Sequence, residues 1–148
     1  MKILFLLLDV VLLAAFNGAT QAQVENILKR IVDCIHRGSD HFILLEQREK
    51  NKVTLLELGL RPADVRRIVE EELTYEDYYK GPNPNVSAHV PLRLHNSEMW
   101  EFGKVVTGDK TVEAYIKFSF IEDNDGPFTC CVSFHEPEST ITYPFKSN

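Results

Sequence analysis

Val112-Glu113-Ala114-Tyr115-Ile116-Lys117-Phe118-Ser119-Phe120 and, after a short polar loop, Phe128-Thr129-Cys130-Cys131-Val132-Ser133-Phe134-His135 decide the fold. In both stretches apolar and polar residues alternate with a period of two, the pattern of a strand with one buried face. The loop Glu122 to Pro127 joins them into an antiparallel hairpin. Upstream, Trp100 and Phe102 flank Glu101, and the turn Thr107-Gly108-Asp109-Lys110 adds a third strand. An antiparallel meander with one apolar face needs helices to cover it, and the first half of the chain supplies them. Val24, Ile27, Leu28, Ile31, Val32 and Ile35 form one helical stripe stopped by Gly38. A short helix over Thr54 to Leu58 ends at Gly59. Pro62 opens another, with Val65, Ile68, Val69 and Leu73 as its buried stripe. Phe42 to Leu45 reads as a short strand, and Asp77 to Asn85, rich in turn formers, as a loop. The expected architecture is α+β, with helices packed on one face of an antiparallel sheet.

The 148 residues suffice for one domain, expected over residues 23–148, and their 44% hydrophobic and 26% charged content is that of a globular protein. A net charge of −6 disfavours a protein that coats nucleic acid through a broad basic face, though a few cations can still hold a phosphate. Cys34, Cys130 and Cys131 form no evident disulfide framework and read as buried, reduced thiols. Cys34 with His36, and Cys131 with His135, match no zinc-ligand spacing.

Residues 1–22 read differently. Lys2, the apolar run through Phe16 and the small or polar stretch ending at Ala22 outline a signal peptide, with Asp9 out of place in its middle. An export signal, a retained anchor and an upstream extension from a misjudged start all fit this leader. Asn85-Val86-Ser87 is a formal glycosylation sequon that matters only if the chain is exported.

The hairpin makes a chemical prediction. With the apolar sets turned to the core, Tyr115 stands opposite His135 or one step diagonal to it, and Lys117 lies one step along the same face. A phenol, an imidazole and an ammonium on an open sheet suit phosphoryl-ester chemistry on RNA. A base takes the ribose 2′-hydroxyl proton, an acid serves the leaving oxygen and a cation steadies the phosphate. His135 can fill either proton role near neutral pH. A solvated hairpin face carries the same residue types without any such role, so spacing alone does not decide.

Five short motifs in one order add to this: Thr54-Leu55-Leu56-Glu57-Leu58-Gly59-Leu60, Asp77-Tyr78-Tyr79-Lys80-Gly81-Pro82, Met99-Trp100-Glu101-Phe102-Gly103-Lys104, Tyr115-Ile116-Lys117 and Val132-Ser133-Phe134-His135-Glu136. With the closing Tyr143-Pro144-Phe145, the chain from about residue 48 to 145 resembles the MqsR (motility quorum-sensing regulator) family of toxin-antitoxin systems. The resemblance implies a RelE-like toxin fold and an endoribonuclease that cleaves messenger RNA without metal or other cofactor. It also implies a cytoplasmic location, a cognate antitoxin that neutralises the enzyme, and contact with promoter DNA only through that antitoxin. Its catalytic set maps to His135, Tyr115, Lys80 and Lys117, with Tyr79 and Trp100 as substrate-binding residues. His135 stands where the best-known branch has a lysine. Glu101, near a glutamine of that branch, is left outside the catalytic set because a carboxylate repels RNA. The leader is the larger departure, since such toxins act on cytoplasmic RNA, and stable membrane association is expected only if it is retained. The competing expectation is an exported, non-catalytic α+β binding module.

Overall fold

The computed structural model describes residues 18–86 and 91–147; the apolar run of the leader, and Ser87 and His89, lie outside them. Helix α1 (Gln21–Arg37) buries Val24, Ile27, Leu28, Ile31 and Cys34. Cys34 thus continues the expected stripe by one helical step, three residues after Ile31. The helix opens inside the segment read as leader. Thr20 caps it, accepting the Gln23 N–H at 3.2 Å while the Gln23 side chain accepts the Thr20 N–H at 2.9 Å. Ala19 is buried, and its N–H donates to the Tyr78 hydroxyl at 3.1 Å. A cut after Ala22 would fall within the first helical turn. No helix of the described residues is long and apolar enough to cross a membrane.

After strand β1 (Phe42–Leu44), helix α2 (Glu49–Leu58) stops at Gly59, whose φ of 65° is the left-handed conformation that favours glycine. Helix α3 (Pro62–Arg67) begins at its proline and runs on as a wider π-type turn over Ile68–Glu72. Four strands follow: β2 (Tyr78–Pro84), β3 (Glu98–Thr107), β4 (Thr111–Asp123) and β5 (Gly126–His135). The sheet order is β1-β5-β4-β3-β2. One face packs on the helices through a core that includes Val24, Ile31, Leu58, Val65, Phe102, Ile116, Phe118 and Phe134. The fold is α+β, as the alternation indicates.

Three expectations need correction. The sheet is mixed, because β1 lies parallel to β5, pairing Phe42 with Thr129 and Leu44 with Cys131. The segment read as a loop from Asp77 is largely strand β2. It is an edge strand, where Gly81 and Pro82 can be absorbed by two shifts in its register against β3. The alternation in β5 also breaks. Lys117 pairs with Ser133, but the next pair is Phe118 with Cys131, so Val132 is an extra, bulged residue. The bulge reverses the faces before it. Cys131 joins the main core, while Phe128 and Cys130 cluster with Leu94 on the other side.

That other side of the sheet is covered in two places. Asn85, Ser97 and Ser119 are buried over one half of β4, with Ser97 and Ser119 hydroxyls 2.7 Å apart and the Asn85 Nδ2 donating to Ser119 at 3.3 Å. The sequon asparagine is therefore an interior residue whose amide has no room for a glycan in this fold. The C-terminal segment crosses farther along, the Tyr143 hydroxyl donating to Glu113 at 2.6 Å. Gly103 makes the crossing possible: a Cβ there would lie 2.5 Å from the Tyr143 hydroxyl and 2.8 Å from Ile141 Cδ1. Between the two coverings the sheet stays open.

Candidate active site

Strand register places the polar residues of this opening in two rows. The first runs Lys80, Glu101, Lys117, Ser133 across β2, β3, β4 and β5, and the second runs Gly103, Tyr115, His135. Each row is continuous because side chains opposite one another in antiparallel strands share a face. The first row alternates in charge, with Glu101 of β3 standing between the ammonium groups of Lys80 on β2 and Lys117 on β4. The rows floor a cleft of about 280 Å³ that is lined also by Arg48, by Tyr79 and by Pro137 to Ser139.

Tyr115 and His135 are direct cross-strand partners, their rings 5.5 Å apart between centroids and inclined at 44°. His135 is only 6% exposed. Its Nδ1 lies 2.8 Å from the Glu136 carbonyl oxygen, which can only accept, so Nδ1 carries the proton and Nε2 has a free lone pair. Burial lowers the His135 pKa below the usual 6.5, outweighing the Glu136 bond, and the positive charges of Arg48, Lys50 and Lys117 act in the same direction. The ring is a neutral base at physiological pH. The Tyr115 hydroxyl donates to Glu101 Oε1 at 2.5 Å. Burial, then that bond, raises its pKa, so the phenol stays protonated. The Lys80 ammonium lies 4.7 Å from the centroid of the Tyr79 ring.

The structure thus brings Lys80, Tyr115, Lys117, His135 and Tyr79 to one cleft and excludes Trp100. Trp100 alternates with Glu101 and so faces the helices. It is 4% exposed, packs edge-on against Tyr78 at 6.4 Å and donates its indole N–H to Glu98 at 3.1 Å. A side chain so enclosed meets no substrate. Trp100→Phe is expected to lower stability by about 1–2 kcal/mol through lost burial and one hydrogen bond, leaving KM within twofold. Urea unfolding and steady-state kinetics on the same preparation check this.

Among the cleft residues outside the predicted set, Glu101 and Arg48 bear most on its electrostatics. Glu101, set aside for its charge, occupies the centre of the first row; the same alternation that aimed Tyr115 outward aims it outward too. Arg48 had no such signal, since it lies far away in the chain, just before α2. Its Nη1 donates to the Ser133 hydroxyl at 2.8 Å and to the Val132 carbonyl at 3.0 Å, and its charge acts on both Tyr115 and His135. At the rim, Lys50 is ion-paired with Glu138.

The thiols stay apart from this chemistry. All three cysteines are free and buried, and burial pushes the Cys130 thiol up to about 11. Cys131 belongs to the core and His135 to the cleft, so the sequence neighbours do not converge. Among the described residues no three His, Cys, Asp or Glu side chains are grouped to hold a metal ion. No family model, curated protein or solved structure matches this chain.

Proposed function

We propose that this protein is a metal-independent endoribonuclease that cleaves messenger RNA, a toxin of the MqsR kind with a RelE-like fold, held inactive by a cognate antitoxin. The observation that carries the reading is the pairing of Tyr115 with His135 across the open hairpin, with Lys80 and Lys117 in the adjoining row. The neutral His135 Nε2 takes the proton of a ribose 2′-hydroxyl. The 2′-oxygen then bonds to the adjacent phosphorus while the bond from phosphorus to the 5′-oxygen breaks. That oxygen takes a proton from solvent water and leaves as a 5′-hydroxyl, and the other fragment keeps a 2′,3′-cyclic phosphate. Lys80, Lys117 and Arg48 offset the charge that gathers on the phosphoryl oxygens. Tyr115, kept protonated, turns its one O–H from Glu101 to a phosphoryl oxygen when RNA binds, and so orients the phosphate. Glu101 holds that phenol until then and separates the two ammonium groups, which answers the objection that its charge repels RNA. A toxin of this kind acts in the cytoplasm and meets promoter DNA only through its antitoxin.

Tyr115→Phe keeps the ring and removes the donor. Its kcat on a long messenger RNA in EDTA is expected to fall by about 10²-fold, the usual effect of removing one hydrogen-bond donor from the transition state, with an unchanged circular-dichroism spectrum. Full activity of the folded variant would remove Tyr115 from the mechanism.

A further inference from the structure

Beyond the Lys80 edge of the cleft lies a second hollow, of about 510 Å³, and the two have Tyr79 and Lys80 in common as a shared wall. Its size is within the range of about 300–1,000 Å³ typical of ligand pockets. Gly81 and Asn83 of β2 form one side, and Thr142 and Pro144 of the C-terminal segment form the other. Its chemistry differs from that of the cleft. The cleft contains Glu101 and Glu138, whereas no carboxylate lines the second hollow, in a chain whose net charge is −6. The charged group it does contain is Lys80, with its ammonium against the Tyr79 ring.

An aromatic ring beside a cation is the surface on which single-stranded nucleic acid settles, the base stacking and the phosphate meeting the charge. The hollow also borders an edge strand, whose outward N–H and C=O groups can serve the polar edge of a base. A phosphate on Lys80 belongs to two nucleotides at once. With the sugar on one side of it presented to His135, the chain on the other side runs over the shared wall.

We propose that this second hollow is a nucleotide subsite adjoining the cleavage cleft, which takes the base of the nucleotide one step beyond the two that share the scissile phosphate of single-stranded RNA. The proposal rests on the ribonuclease reading above and adds its substrate requirement. The enzyme grips at least three consecutive nucleotides, and the base must be free to turn out of a helix. Paired RNA cannot meet that demand without unpairing.

The test starts from a cleavage site mapped on a long messenger RNA with the full chain. Oligoribonucleotides centred on that site are then compared: the dinucleotide, and two trinucleotides extended on the 5′ or the 3′ side. Extension on one side, and not the other, is expected to raise kcat/KM about tenfold, the scale of one base stacked on an aromatic ring. Asn83→Trp, which fills the hollow from β2, is expected to abolish that gain. Thr142→Trp fills it from the facing wall and decides the matter if Asn83→Trp does not fold. Equal cleavage of dinucleotide and trinucleotides by the wild type, or a gain that survives in a folded tryptophan variant, overturns the subsite and leaves the ribonuclease reading standing. A folded wild type that leaves the long RNA intact overturns both.

Discussion

His135→Ala is expected to abolish RNA cleavage, with kcat lowered by about 10²–10⁴-fold, the range usual for loss of a positioned general base. The variant should fold, because the imidazole makes a single hydrogen bond, to its neighbour's carbonyl, and lines a cleft rather than the core. The pH profile gives a sharper test. Catalysis needs Nε2 unprotonated, and burial with the surrounding cations pulls the His135 pKa below 6.5. The rate should therefore rise with pH through a midpoint below 6.5 and level off above it. A midpoint above that value would mean that the site stabilises the imidazolium, so that His135 serves as an acid. The same shift bears on stability. A histidine whose folded pKa is depressed favours the unfolded chain once protonation begins, so its contribution is present above 6.5 and is lost as pH falls through the lowered value. His135→Gln should remove both the rate limb and this part of the acid sensitivity.

Asn51→Ala is expected to cost about 3 kcal/mol or more. Asn51 is fully buried and serves three backbone groups: Nδ2 donates to the Leu45 carbonyl at 2.9 Å and to the Val132 carbonyl at 3.0 Å, and Oδ1 accepts the Phe134 N–H at 2.9 Å. Alanine takes the side-chain partner from the Phe134 N–H, away from water, at about 1–3 kcal/mol, and removes one donor each from the Leu45 and Val132 carbonyls, which keep, respectively, the backbone N–H and the side chain of Arg48. The consequence reaches the site. Val132 is the bulged residue, and the bulge sets the faces on which Phe134 and His135 emerge. Below its lowered melting temperature the variant should keep its helices yet lose cleavage by tenfold or more. Urea unfolding and kinetics at 15 °C separate the two effects. A loss of stability under 1 kcal/mol would show that the bulge holds without Asn51.

The alternation in β4 is enough to aim Tyr115 and Lys117 outward, and with His135 it marks the open face on which the cleft lies. The same rule failed across β5 because one bulged residue reverses every face before it, from Phe128 to Cys131, and nothing in Cys131-Val132-Ser133 announces where the insertion falls. Residues Tyr78 to Pro84 were hidden for another reason. Gly81 and Pro82 are turn formers by local preference, and only the edge position makes a strand of them. Arg48 reaches the cleft through a chain reversal that no periodicity records. Trp100 shows the opposite error, in which a resemblance outweighed the alternation that already turned Glu101 outward and the indole inward.

The most direct test of the central claim is the full chain incubated with a long messenger RNA in EDTA, with the fragment ends analysed chemically. Discrete fragments ending in a 2′,3′-cyclic phosphate, facing fragments that begin with a 5′-hydroxyl, are the expected result. Intact RNA from protein that is folded by circular dichroism, or cleavage that appears only when a divalent metal is restored, would contradict the account.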